Sequence, residues 1–343
     1  MENYIGMDAH GATCTFVNLN GKGEIISRCQ IKTTEKNLLG YVRSQKGFTK
    51  LTFEESHLSK WLYVLLKNEV DELVVCNARY LAEKQGPKTD YRDALHLADE
   101  LRTNHLVPVF HEENDFMEIR SQVGAYKDLV REITQTKNRF KALFRAQALQ
   151  VGGTKIYNRP ERIQELSSQT DRFVASQLFE QFSFLNEIKK KYILIFKENA
   201  KKHSSIGKLK SIPGINFVRA NIISAIICSP GRFKNKHKLW AYAMLVKYTQ
   251  ESDGRTYGQK MVQGRRELKN VFVGAAQSVL QKSPNSSLRK YYDRLRSKGV
   301  DHDAAKFDVA RRIAAISLSV LKHDKPYDDK YEEKKRRIDK KVH

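Results

Sequence analysis

Four carboxylates and one serine hold the chemical possibilities of this sequence. Asp8 follows the apolar run Tyr4, Ile5, Gly6, Met7; Glu54 closes the run Leu51, Thr52, Phe53; and Asp90 and Asp93 stand in the string KTDYRDALHLAD. A spacing of three places Asp90 and Asp93 on one face of a helix. In a strongly basic chain, acids gathered from separate segments repel one another unless a cation lies between them, and such hard oxygen donors suit Mg²⁺ or Mn²⁺. Two ions roughly 3.5–4 Å apart would activate an attacking oxygen and stabilise a leaving one in phosphodiester transfer. Taken singly, each acid reads as an ordinary cap or surface charge; the ordered set in an α/β context points to a metal centre. Glu55 competes with Glu54, because successive side chains of a strand point to opposite faces and only one of the two can face Asp8. His10 lies two residues beyond Asp8, within reach of the site, but is expected to be structural or solvent-facing. Ser252 stands in the turn-like ESDG that closes the string AYAMLVKYTQESDG, with the basic GQKMVQGRRELKN further on. A serine in a mobile loop near phosphates can act as a nucleophile. On its own, a turn serine is structural.

The chain has 343 residues, enough for two or three domains, and 62 Lys and Arg against 39 Asp and Glu give a net charge of +23. That excess attracts a polyanion by neutralising phosphates and releasing counterions, which makes nucleic acid the leading partner. No charged-then-apolar leader precedes the first strand-like run, and no apolar run nears the roughly 18 residues that span a bilayer. A soluble, cytoplasmic protein with no membrane partner is expected. Cys14, Cys29, Cys76 and Cys228 lie far apart without CxxC spacing and read as buried free thiols.

The elements that would position these residues follow from periodicity. Short β-like runs from Tyr4 to about Ile31 predict an antiparallel meander, and a helix follows around Asn37 to Gln45. LTFEES, KWLYVLLKN and ELVVC then read as strand, helix and strand added in parallel to the same sheet. Between Asp115 and Gln150, Ile119, Val123, Tyr126, Val130, Ile133, Phe140 and Phe144 form the stripe of one long amphipathic helix, interrupted at Lys137. Lys127, Arg131, Arg139, Lys141 and Arg145 on its other faces either track a phosphate backbone or form a solvated basic face. A second long helix spans about Asp171 to Ala200, its stripe of Leu178, Phe182, Leu185, Tyr192 and Phe196 fitting a dimerising coiled-coil protrusion or an intramolecular hairpin. In LKSIPGINFVRANIISAII, the Pro-Gly turn at Gly214 resembles a helix-hairpin-helix, whose turn amides can face a phosphate. The tail after Pro326 is so charged that a solvated helix or disorder is expected.

The strings YIGMDAH, FEES, KTDYRDALHLAD, SIPGINFVRANIISAI, AYAMLVKYTQESDG, GRRELKN and KPYD stand in the order found in transposases of the insertion-sequence 110 family, which the chain resembles over nearly its whole length. The resemblance implies an RNase H-like (RuvC-like) α/β domain over 1–150 and a helical coiled-coil region over 151–203. A mainly α-helical transposase domain over 204–323 and a charged tail over 324–343 would follow. It carries the acidic quartet onto Asp8, Glu54, Asp90 and Asp93 and the serine nucleophile onto Ser252. The sequence departs from the family pattern in placing Asp253 between the serine and Gly254, in Met244 and Lys247, and in Glu55, Ser56 and His57 after the second acid.

What the family implies is a recombinase in which the quartet holds divalent metal beside the scissile phosphate while Ser252 attacks it, leaving a phosphoserine link and a free 3′ hydroxyl. A structured bridge RNA from the element's non-coding end would pair with target and donor DNA while the protein holds backbone and shape, in a tetramer built from dimers. The basic residues of the long helix, with Arg265, Arg266 and Lys269, are the candidate nucleic-acid contacts. Rival readings are a site-specific invertase of the same chemistry, a Holliday-junction-type metal nuclease in which Ser252 is structural, and a nucleic-acid-binding protein descended from a transposase.

Overall fold

The computed structural model describes residues 2–77, 89–112, 116–252 and 255–330. The chain divides into two compact units, Met1–Glu113 and Asn114–His343.

The first unit is built on a sheet. β1 (Glu2–Ala9), β2 (Thr13–Leu19) and β3 (Ile25–Lys32) form the antiparallel meander. After α1 (Glu35–Arg43), β4 (Phe48–Glu54) pairs in parallel with β1. After α2 (Ser59–Leu66), β5 (Glu72–Cys76) pairs in parallel with β4. The strand order is β3-β2-β1-β4-β5. Alternation along the strands splits the side chains between two layers. On one face Ile5, Met7, Phe16, Leu51 and Phe53 pack with Leu38 and Val42 of α1 and Leu62 and Leu66 of α2. On the other face Val17 and Leu19 meet Ala94 and Ala98 of α3 (Asp90–Arg102).

Gly6 sets how close α3 comes. A Cβ at this position would lie 2.0 Å from the carbonyl oxygen of Ala94 and 2.5 Å from the amide nitrogen of Ala98. The backbone of α3 therefore rests directly on β1, and the small Ala94 and Ala98 keep the contact flush.

The second unit is mainly helical. α4 (Phe116–Ala146) and α5 (Gln169–Lys202) lie against one another. Their seam comprises Leu129, Ile133 and Leu185 in one cluster and Phe140, Phe144, Ala175 and Phe182 in the next. The two stripes thus meet within one chain. Lys137, which interrupts the apolar pattern, holds its Nζ 4.7 Å from the centre of the Tyr157 ring and 5.6 Å from that of Phe182. Burial, then the nearby Lys189, push its pKa down. A cation over two rings fills the gap that the pattern leaves. Leu129 is buried where periodicity selected Val130, which is half-buried.

α6 (Ser204–Leu209), α7 (Phe217–Ile227), α8 (Lys236–Tyr242), α9 (Arg266–Lys282), α10 (Ser287–Ser297) and α11 (His302–His323) build the larger core around Ile206, Ile223, Phe272 and Ile313. Asn221, fully buried on α7, donates to the carbonyls of Phe196 and Phe217 at 3.0 and 2.8 Å and accepts from Asn199 at 2.9 Å. Asn199 also donates to Gln122 at 2.8 Å, so one polar chain ties α4, α5 and α7. A division at residue 150 would place α4 with the sheet. In the structure α4 falls in the second compact unit, because its apolar stripe is spent on α5 and α7.

β6 (Lys247–Ser252) and β7 (Arg255–Met261) form a separate antiparallel ribbon, with a bulge at Gln250 and Glu251. The sequence marks only ESDG as turn-like; the structure adds the strands on either side of it. Thr and Tyr in both runs, around an Asp-Gly dipeptide, are the hairpin signal that it carries.

Gly6→Ala is expected to destabilise the protein by about 1–3 kcal/mol, the usual range for overpacking a filled interface, measured by urea denaturation followed by circular dichroism. An unchanged midpoint would mean that α3 does not lie on β1 as described.

Candidate metal centre and serine segment

The carboxylates gather where β1 and β4 end. Tyr4, Gly6 and Asp8 alternate onto the α3 face of β1, and Thr15 and Gln30 continue that row across β2 and β3 through the pairs Asp8 with Thr15 and Thr15 with Gln30. α3 begins over this corner. Thr89 caps it, its hydroxyl accepting from the amide of Arg92, and Asp90 and Asp93 occupy the first turn, where the helix dipole favours negative charge. The spacing read from the sequence holds, and the flush contact at Gly6 brings both aspartates down to Asp8.

Asp8, His10 and Asp90 each offer one ligand atom, and these lie within 4.8 Å of one another. His10 Nε2 is 3.2 Å from Asp8 Oδ2 and 4.0 Å from Asp90 Oδ1. Gln30 steadies Asp90, donating to its Oδ2 at 3.3 Å and to the Thr15 hydroxyl at 3.1 Å. Burial raises the pKa of Asp8; His10 opposes the rise, while Asp90 and Asp93 add to it. Three carboxylates thus share one field, which His10 offsets in part. Such a donor set fits a divalent cation, which would turn mutual repulsion into coordination.

Glu54 is the last residue of β4. The pairs Gly6 with Thr52 and Met7 with Phe53 carry the register forward, so that Glu54 follows beside Asp8 on the α3 face. Its carboxylate is exposed and lies outside the tight group of three. It acts on Cys76, its partner on β5, whose thiol is pushed up to about 12, chiefly by burial. Glu55 is committed elsewhere: its amide donates to the Cys76 carbonyl at 2.9 Å, and the buried His111 Nε2 donates to its Oε2 at 2.5 Å. His10 was expected to be structural or solvent-facing. Its ring is 58% exposed yet touches the carboxylates. Its place two residues after Asp8, at the strand end, was the signal in the sequence.

Ser252 ends β6 and pairs with Arg255 of β7; Asp253 and Gly254 lie outside the described residues. The basic candidates differ in how their charges are used. Lys127 forms an ion pair with Glu267 at 2.5 Å, and Arg131 lies 3.1 Å from Asp128 at the surface. Lys141 donates to the Gly153 carbonyl and sits 4.9 Å from the centre of the Tyr157 ring. Arg139 and Arg145 are exposed. Arg265 caps α9, with its Nε 3.9 Å from Glu267, Arg266 is exposed, and Lys269 is half-buried. Gly214 has φ +84° and faces α9 so closely that a Cβ would lie 2.3 Å from the Ala275 carbonyl oxygen. A packing requirement accounts for this glycine.

Residues 5–147 match the DEDD transposase model of IS110 elements, and residues 207–293 match the transposase model of the IS116/IS110/IS902 family. No curated protein matches the chain. An α/β sheet unit with clustered acids, followed by a helical transposase region, defines a DNA transposase of the DEDD class, an enzyme that acts on DNA and whose acidic domain implies divalent metal. The chain belongs to the IS110 family of insertion-sequence transposases. The first match runs past the compact sheet unit, which ends at Glu113, to residue 147 at the close of α4. No described helix is long and apolar enough to cross a membrane.

A pH dependence follows from Asp8. A carboxyl whose folded-state pKa is raised binds protons more readily when folded, so stability falls as pH rises from the ordinary 3.8 through the raised value. Asp8→Asn removes this penalty. In EDTA at pH 7 the variant is expected to melt above wild type, with the gap closing below about pH 3.8; a variant that melts lower at pH 7 would contradict the assigned cause.

Proposed function

We propose that this transposase cleaves and rejoins DNA through a covalent phosphoserine intermediate, with Asp8, Glu54, Asp90 and Asp93 holding divalent metal and Ser252 as nucleophile. The observation that carries the metal half is the meeting of Asp8 and Asp90 at one strand end, with Asp93 in the same field and Glu54 next in register. Bound there, Mg²⁺ or Mn²⁺ would neutralise phosphoryl charge and acidify an oxygen. The Ser252 Oγ gives its proton to solvent and attacks phosphorus, the bond to the 3′ oxygen breaks, and that oxygen takes a proton from solvent and leaves as a hydroxyl. The new ester conserves the bond energy, and the 3′ hydroxyl of an exchanged strand reverses the step to reseal the backbone.

A bridge RNA that pairs with target and donor DNA supplies the sequence choice in this reading. It is supported by the net charge of +23 and by the exposed Arg131, Arg139, Arg145 and Arg266, which suit backbone contacts. Lys141, Arg265 and Lys269 extend that set. Lys127 and the turn at Gly214 contribute less directly, the first being neutralised by Glu267 and the second packed on α9. A homo-oligomer fits the outward face of α5, where Phe173 and Phe184 are 66% and 67% exposed.

The test incubates the protein with element-junction DNA, Mg²⁺ and the flanking transcript. Wild type is expected to give a protease-sensitive protein–DNA adduct that depends on the transcript. Ser252→Ala should give none, and Asp8→Asn should lose cleavage by roughly three orders of magnitude or more while retaining DNA binding. Cleavage by Ser252→Ala at the wild-type rate without an adduct would replace the serine chemistry with a metal-and-water nuclease.

A further inference from the structure

The turn from β1 into β2 returns His10 over the carboxylates and holds it there. The His10 amide donates to the Thr13 carbonyl at 3.0 Å, and the Thr33 hydroxyl donates to the His10 carbonyl at 2.7 Å. The backbone that presents the ring is therefore fixed from β2 and from the end of β3. The ring nitrogen Nε2 stands 3.2 Å from Asp8 Oδ2 and 4.0 Å from Asp90 Oδ1. An octahedral ion with bonds of about 2.1 Å keeps neighbouring donors about 3.0 Å apart and opposite donors about 4.2 Å apart. The two separations from His10 Nε2, 3.2 Å to Asp8 and 4.0 Å to Asp90, match a neighbouring and an opposite position of such a shell. Asp90 is held in this geometry by Gln30 from outside, the kind of support that metal-binding carboxylates use.

We infer that His10 is itself a metal ligand, giving Nε2 to one ion alongside Asp8 and Asp90, and that this nitrogen makes the centre prefer Mn²⁺ to Mg²⁺. The inference rests on the metal-centre reading above and deepens it. Mg²⁺ is hard, keeps oxygen ligands and water, and gains little from imidazole. First-row transition ions accept imidazole readily, and their affinity for a mixed nitrogen and oxygen site exceeds that of Mg²⁺. An all-carboxylate site would lack this bias.

The experiment loads metal-free full-length protein with one equivalent of Mn²⁺ and records its pulsed electron paramagnetic resonance spectrum. Wild type is expected to show ¹⁴N modulation from a directly bound imidazole. His10→Gln should still bind Mn²⁺, without the modulation, and with a Kd weaker by roughly tenfold, read from the free-ion signal. Mg²⁺ displacement of Mn²⁺ should become easier by the same factor. Asp8→Asn should abolish the tight Mn²⁺ site. Bound Mn²⁺ without ¹⁴N modulation in wild type, or modulation that persists in His10→Gln, overturns the role of His10 and leaves the carboxylate centre standing. Failure of wild type to bind Mn²⁺ at all overturns both.

Discussion

The close approach of α3 to β1 is the constraint on which the first unit depends. A helix normally stands off a sheet by the thickness of its side chains. Here Gly6 on the strand and Ala94 and Ala98 on the helix remove that thickness, and backbone meets backbone. The helix start is thereby lowered onto the strand end, so Asp8 shares one pocket of charge with residues from a distant part of the sequence, Asp90 and Asp93. Asp8, Asp90 and Asp93 repel one another there, and the apolar layer beneath them, through Val17, Leu19, Ala94 and Ala98, outweighs that repulsion. Local electrostatics and global packing thus oppose each other at this corner, as they often do where a protein is built to bind something it does not itself contain.

The second unit solves a different problem, that of holding long helices in one register. Its seam of phenylalanines is deformable, since aromatic rings tolerate several tilts; Phe140, Phe144, Phe179 and Phe182 pair at centroid distances of 4.9–6.1 Å. The chain of Asn221, Asn199 and Gln122 is not deformable. A slip of α5 along α4 would strand buried amides without partners, which costs about 1–3 kcal/mol for each group. Apolar contacts supply the bulk of the stability, and the polar chain chooses among packings of similar apolar area.

Much of this was legible in the sequence, and the parts that were not share a cause. The meander and its parallel additions follow from strand alternation, and the stripe on α4 follows from helical periodicity. Which unit owns α4 does not, because a stripe from Ile119 to Phe144 says that a partner exists and not which one. The choice between Glu54 and Glu55 needed the β1–β4 register, a relation between segments far apart in sequence such as Met7 and Phe53. The ribbon was overlooked because its two runs are polar, with no buried face to announce them. His10 was underrated because a lone exposed histidine has no pattern. Its meaning comes only from a turn that folds it back over Asp8 and Asp90.

The ribbon of β6 and β7 has a consequence for control. Two strands without a third, exposed on nearly every residue, are marginal by themselves in water. The segment bearing the proposed nucleophile therefore depends on outside contacts for its order, while Asp8 and Glu54 lie on strands of a five-stranded sheet with a packed layer on each face. An enzyme that must break chromosomes gains safety from that asymmetry. Under the proposed serine chemistry, the carboxylate sheet would stand ready before substrate arrives, and the ribbon would take up a reactive geometry only when a nucleic-acid strand supplied ordering contacts, so that assembly would act as the licence to cut.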